Sequence, residues 1–222
     1  KIRYPVLNTL TRLSFQTADI VVALSEASRA LLLERGCPPD KIRVIPLGRS
    51  DVFSEDSEKT PASDQSETPF LLAVGVLFRH KNLETAIRAV GALKNEGCEW
   101  PLMIVGPAPD DRYLAYLKNV ASTSGVSDLV TFKGPVPYEQ LPAIYSQAGC
   151  YLLPSLVENF PHTLIEAMSM GCPIVSSREI PTTEICGDAA LEYVATDHLD
   201  MARKIRAVMV DPRKRDQMVA EG

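Results

Sequence analysis

Two carboxylates bound the run Glu158-Asn-Phe-Pro-His-Thr-Leu-Ile-Glu166. A pair of acids at the mouth of an α/β domain suits polyhydroxylated substrates, because an ionised carboxylate only accepts hydrogen bonds and sugar hydroxyls donate them. Spacing alone proves little, since Glu26/Glu34 and Glu184/Glu192 repeat it. The setting of the first pair is what separates it. The segment Cys150-Tyr-Leu-Leu-Pro154 reads as a strand leading in, Pro161 fits the first turn of a helix, and Gly171-Cys-Pro173 ends that helix before the strand Pro173-Ile-Val-Ser-Ser177. The Glu158 loop therefore falls at the carboxyl end of a strand, where open parallel sheets bind their ligands. A second group, Gly75-Val-Leu-Phe-Arg79-His80-Lys81-Asn82, carries two firm cations and a titratable ring to the same edge. Lys and Arg there can neutralise a diphosphate leaving group without a metal. The helix start near Pro161 offers backbone N–H groups at His162, Thr163 and Leu164, which attract anions, so phosphate has two candidate contacts on adjacent strand ends.

These residues need a frame, and the sequence spells one. The first part reads as helix over 4–17, strand over 19–24, helix over 26–35 and strand over 41–46, with Ser25 as N-cap and Gly36 as a C-terminal stop. A single βαβ unit of this size cannot cover both faces of its strands. Residues 1–48 are therefore expected to be the remnant of an amino-terminal domain, and the start at Lys1 points the same way. Residues 49–69, rich in Ser, Glu, Asp, Thr and Pro, read as a solvated linker. From residue 70 to 222 strands and helices alternate: strand 70–76, helix 82–95, strand 101–106, helix 111–123, strand 129–132, helix 137–147, strand 149–153, helix 161–170, strands 173–177 and 190–194, and helix 197–210. That order predicts an α/β fold, a Rossmann-like parallel sheet with helices on both faces.

Absences and composition exclude other chemistry. No G-x-G-x-x-G follows a strand, and no phosphate-binding G-x-x-x-x-G-K-[ST], H-E-x-x-H, D-x-D or G-x-S-x-G occurs. Dinucleotide binding, zinc proteolysis and serine-elbow hydrolysis lose support. With 23 Lys and Arg against 28 acids, and a net charge of −5, the chain offers no field for nucleic acid. The longest apolar run, Leu71-Leu-Ala-Val-Gly-Val-Leu-Phe78, is far short of the ~20 residues of a membrane span. Five cysteines, Cys37, Cys98, Cys150, Cys172 and Cys186, form no C-x-x-C pair and are expected to be buried thiols of a reduced, cytoplasmic protein.

Taken together and in order, Ala18-Asp-Ile-Val-Val-Ala-Leu-Ser25, Lys41-Ile-Arg-Val-Ile-Pro-Leu-Gly48, Val74-Gly-Val-Leu-Phe-Arg-His-Lys-Asn82, Val130-Thr-Phe-Lys-Gly134, the Glu158 to Glu166 run, Gly171-Cys-Pro-Ile-Val175 and Pro181-Thr-Thr-Glu-Ile-Cys-Gly-Asp-Ala-Ala190 closely resemble glycosyltransferase family 4. These are retaining enzymes of the two-Rossmann GT-B fold that use nucleotide-sugar donors without metal, and the likeness is to their carboxyl-terminal, donor-binding domain. The resemblance implies transfer of a hexose from a donor such as UDP- or GDP-hexose to a saccharide or lipid-linked acceptor, with no cofactor or metal. It implies catalytic roles for Glu158, beside the sugar, and Lys81, on the donor phosphates. Arg79 stands in for an arginine that the family often carries where this chain has Val76 or His80. Glu166 matches the acid on the ribose hydroxyls, and Asn159, Phe160, Pro161, His162, Thr163 and Leu164, with Gly75 and His80, line the donor site. The chain reads Asn-Phe-Pro-His where Gly-Phe-Gly is common, which stiffens that loop. The acceptor site and any base would lie in the preceding domain, so this stretch should bind donor and transfer nothing. Peripheral contact with the inner membrane stays open. The alternatives are a nucleotide-sugar epimerase on the same fold, or a non-catalytic nucleotide-sugar-binding domain.

Local pattern gives blander expectations beside these. Helical periodicity places Leu164, Ala167, Met168 and Gly171 on one stripe and turns Glu166 away from it, towards water. Asn82 reads as a helix cap beside Lys81. His198 opens a helix, and Lys204, Arg206, Arg213, Lys214 and Arg215 read as a solvated face.

Overall fold

In the computed structural model, residues 3–54, 69–178 and 181–222 are described, and the chain divides after Gly48 into two units. Most of the segment expected to be a linker lies outside the described residues.

In the first unit, helix α1 (Arg3–Thr17) precedes strand β1 (Val21–Ala23), helix α2 (Glu26–Glu34) and strand β2 (Ile42–Val44). The two strands pair in parallel with Val21 opposite Ile42. Ser25 caps α2 by accepting the Ser28 N–H at 3.0 Å. Lys41 Nζ donates to the carbonyls of Phe15, Gln16 and Ala18 at 3.2, 2.9 and 2.8 Å, placing a cation on the negative end of α1. Phe15, Ala23, Cys37 and Ile42 form the core of this unit.

The second unit runs β3 (Phe70–Val74), α3 (Leu83–Asn95), β4 (Leu102–Val105), α4 (Asp111–Thr123), β5 (Val130–Gly134), α5 (Leu141–Gln147), β6 (Ala148–Leu153), α6 (His162–Ser169), β7 (Ile174–Ser177), α7 (Thr182–Cys186), β8 (Ala190–Tyr193), α8 (His198–Met209) and α9 (Pro212–Glu221). Among the described residues its strands form one parallel sheet in the order β5-β4-β3-β6-β7-β8. Successive residues of β3 feed opposite faces, as the pleat requires. Leu71 and Ala73 join Ile87, Leu117 and Ile205 from α3, α4 and α8, whereas Leu72 joins Tyr145 and Leu164 from α5 and α6. With both faces covered, the apolar runs of β3, β4 and β6 need no polar alternation.

The order reverses between β3 and β6, the switch point at whose carboxyl ends open parallel sheets bind their ligands. There the backbones press together. Gly106, just after β4, has φ +138°, and a Cβ on it would stand 2.0 Å from the Gly75 carbonyl oxygen just after β3. Gly106→Ala should therefore destabilise the protein by about 2 kcal/mol or more, from left-handed strain plus displacement of the β3 turn. A thermal melt checks it, and an unchanged midpoint would count against this close approach.

Several expectations need correction. The linker does not begin at residue 49: Phe53 is fully buried, with its ring 5.5 Å from Tyr138 and 5.8 Å from Tyr145, so the second unit claims it. Helix α5 is preceded by a separate short 3-10 turn, Tyr138–Gln140. Helices α7 and α9 were not expected. The second starts with the side chain of Asp211 accepting the N–H groups of Arg213 and Lys214, and buries only Met218. All five cysteines are free thiols; Cys98 is half-buried rather than buried. Burial pushes the Cys172 and Cys186 thiols up to about 12. No helix among the described residues is long and apolar enough to cross a membrane.

Candidate functional site

The crevice between the ends of β3 and β6 holds the two residues whose chemistry was most suggestive. Gly75 leaves β3, and a 3-10 turn, Arg79–Lys81, carries the chain to α3. From this turn Lys81 Nζ reaches Glu158 Oε1 at 2.5 Å, across 77 residues of sequence. Both side chains are largely enclosed, 21% and 15% exposed. Ser155 Oγ donates to the same Glu158 oxygen at 2.8 Å and is itself fully buried. A small pocket opens here, lined by Gly75, Val76, Lys81, Pro154 and Ser155 above the ends of the strands. Gly75, with φ +146°, lies beside the lysine stem: a Cβ on it would be in ordinary contact with Lys81 Cε, at 3.7 Å.

Glu166 is not the solvated helix acid that its own helix suggests. It is 8% exposed, accepting from the Tyr138 hydroxyl at 3.1 Å and the Tyr145 hydroxyl at 2.9 Å. Tyr145 is fully buried, whereas Tyr138 is 39% exposed at the rim. Burial raises the Tyr145 phenol well above its usual range, and the neighbouring Tyr151 and Glu166 push it the same way. It therefore stays a donor to the carboxylate. Burial also raises the Tyr151 phenol, and both Glu166 and Glu158 add to that rise. Lys81 and Glu158 thus meet in one ion pair, while Glu166 lies buried on the helix after the Glu158 loop, bonded to two tyrosines.

Other expected site residues fall differently. Arg79 is not brought to the Lys81–Glu158 pair: its guanidinium lies over the rings of Tyr113 and Tyr116, 5.2 and 6.0 Å from their centroids, in a separate groove lined by Phe78, His80 and Asp110. The His80 ring stacks on the exposed Phe78 at 5.7 Å, while its carbonyl accepts the Leu156 N–H at 2.8 Å. Pro161 sits at the N-cap of α6 rather than inside the first turn. Leu164 is corrected on both counts: its side chain is fully buried, and its N–H donates to the Pro161 carbonyl at 3.0 Å. That leaves the N–H groups of His162 and Thr163 at the helix start. The His162 ring meets Phe160 edge-on at 6.1 Å, and Asn159 is exposed in the loop before it.

Sequence reasoning passed over Ser155, Tyr138 and Tyr145. A hydroxyl three residues before Glu158 at a strand end was a usable signal for the first, since short polar side chains bond locally at such turns. The tyrosines gave none, because they lie outside the motif.

Comparison with known proteins now bears on this geometry. The family model for glycosyl transferases group 1 matches residues 54–222. The chain belongs to that family. Among curated group 1 relatives, the putative colanic acid biosynthesis glycosyltransferase WcaL of Escherichia coli is 31% identical, over 73% of this chain and 40% of its own length. The GDP-mannose-dependent alpha-(1-6)-phosphatidylinositol monomannoside mannosyltransferase of Mycolicibacterium smegmatis is 26% identical, over 98% of this chain and 60% of its own. Anabaena HepE, solved in complex with UDP and glucose, superposes with a TM-score of 0.85 at 19% identity, over 97% of this chain and 60% of that one. The Rossmann-like parallel sheet with helices on both faces expected from the sequence is the one observed. The chain spans only 40% of WcaL and 60% of the mannosyltransferase.

Proposed function

We propose that this chain is the donor-binding part of a glycosyltransferase that moves a hexose from a nucleoside diphosphate sugar to a saccharide or lipid-linked acceptor, with retention and without metal. The observation that carries the reading is the Lys81–Glu158 pair at the topological switch point, with Glu166 buried on the helix that follows. The two charges hold each other. When donor enters, Lys81 turns its ammonium to the diphosphate, whose negative charge grows as the sugar leaves, and a fixed cation stabilises that change in a largely water-excluded place. Glu158, held by Ser155, faces the sugar and opposes its developing positive character. The N–H groups of His162 and Thr163 add a second anion contact. Glu166 accepts the ribose hydroxyls beside its tyrosines. Arg79 has no part in this scheme, since its guanidinium lies over Tyr113 and Tyr116. The acceptor site belongs to the preceding domain, of which residues 1–48 are the last part.

A thermal-shift panel of UDP, GDP, ADP and their hexose conjugates, run with and without a chelator, tests this. A ligand that binds only the folded form raises the melting temperature, by ~2.7 kcal/mol of added stability at a hundredfold excess over Kd. One base should stand out, undiminished by chelator. No shift with any of them would overturn the donor-site reading.

A further inference from the structure

We propose that Asn82 is a positioning residue for Lys81, acting as the latch that fixes the lysine's turn against the loop bearing Glu158. This rests on the donor-site reading above and deepens it. Asn82 follows Lys81 directly and was expected to cap α3. It stands at that N-cap with a left-handed backbone, φ +50° and ψ +38°, but its side chain caps no backbone N–H of the helix. Among the described residues it is the one non-glycine with positive φ. Asparagine tolerates that conformation better than most residues, but glycine is the default choice for it. A side chain retained there in a 5% exposed position has a reason in its bonds. Nδ2 donates to the Pro154 carbonyl at 3.0 Å and to the Ala195 carbonyl at 2.7 Å, using both amide protons. Oδ1 accepts the Thr85 hydroxyl at 2.8 Å.

Two of these partners belong to different strand ends. Pro154 follows β6 and immediately precedes Ser155, which holds Glu158; Ala195 follows β8; Thr85 lies in the first turn of α3. One amide therefore ties the turn after β3 to the carboxyl ends of two other strands, in the plane where Lys81 and Glu158 must meet. A second tie, Leu156 N–H to the His80 carbonyl at 2.8 Å, runs between the same two loops. The lysine has four rotatable side-chain bonds of its own, so the latch fixes where its stem starts rather than where its ammonium ends. Displacing a reacting group by an ångström is costly to catalysis.

The test is a double-mutant cycle read by calorimetry with UDP and GDP on the whole chain. Asn82→Gly keeps the left-handed backbone without strain and deletes only the amide. It is expected to weaken nucleotide affinity about tenfold in the wild-type background, and less than about twofold when Lys81 is already alanine, because the two residues then act through one contact. A merely structural asparagine would weaken binding equally in both backgrounds, and that result, or unchanged affinity in Asn82→Gly, overturns the proposal. Should Asn82→Gly fail to fold, Thr85→Val loosens the same amide more gently and should show a smaller loss with the same dependence on Lys81; a loss independent of Lys81 overturns the proposal equally. If Lys81→Ala alone binds both nucleotides as wild type does, the donor-site reading falls and takes this one with it. A lysine effect with no coupling removes Asn82 alone.

Discussion

Lys81→Ala in the full-length protein is expected to lower kcat by ~10²–10³-fold at saturating donor, the range seen when one preorganised stabiliser of developing negative charge is removed. The lysine is suited to that task by where it stands. It rises beside Gly75 in the pocket at the strand ends, and it is bound to Glu158. That pairing keeps a half-enclosed cation in place before donor arrives. It also sets a competition, since the diphosphate must draw the ammonium from a carboxylate that Ser155 continues to hold. Removing the lysine leaves Glu158 with its serine bond, so the fold should survive, and the melting temperature checks that it does. Because charge on the leaving group grows towards the transition state, the loss should fall on kcat more than on donor KM. Lys81→Arg should recover only part of the rate, because a planar fork cannot occupy the volume of a point-charge ammonium beside Gly75. A rate for Lys81→Ala within about threefold of wild type would show that charge stabilisation lies elsewhere.

How much of this was legible in the sequence depended on whether the cause was local. The alternation of β3 to β8 with their helices was readable because buried parallel strands write continuous apolar runs, such as Leu71-Leu-Ala-Val74. Lys81 and Glu158 were readable as chemistry at strand ends, and the sheet order then made those ends neighbours. What escaped was set by distant partners. Periodicity within α6 saw only its own apolar stripe and sent Glu166 to water; the tyrosines that enclose it come from 28 and 21 residues earlier. Asn82 read only as a cap because caps are local, yet its amide protons go to partners 72 and 113 residues away. Arg79 was assigned by its neighbour Lys81, but the rings of α4 offered its guanidinium a face to stack on. Helix α9 escaped because a helix that buries one methionine writes almost no hydrophobic period.

With Glu166 on the ribose as proposed, Glu166→Ala should weaken binding of the preferred nucleoside diphosphate by ~10²-fold or more, since hydrogen bonds to a charged group contribute about 1.5–3 kcal/mol each and a ribose has two hydroxyls to offer it. The same change has a separate cost to the fold. Tyr145 loses the acceptor of its buried hydroxyl, and a donor left unsatisfied at that depth costs about 1–3 kcal/mol. Tyr138, at the rim, can turn to water. The two effects can be pulled apart. Glu166→Ala combined with Tyr145→Phe removes both partners of the buried bond, so stability should return most of the way while nucleotide affinity stays low. Tyr145→Phe alone keeps the carboxylate but frees one of its oxygens, and should cost affinity only a few-fold through looser placement. If instead the double variant regains affinity along with stability, Glu166 serves the packing of the tyrosines and the ribose contact must be sought on another side chain. If Glu166→Ala binds nucleotide as the wild type does, the buried carboxylate is structural from the start, and the acid at the head of α6's loop, Glu158, is left as the only one of the pair with a claim on the donor.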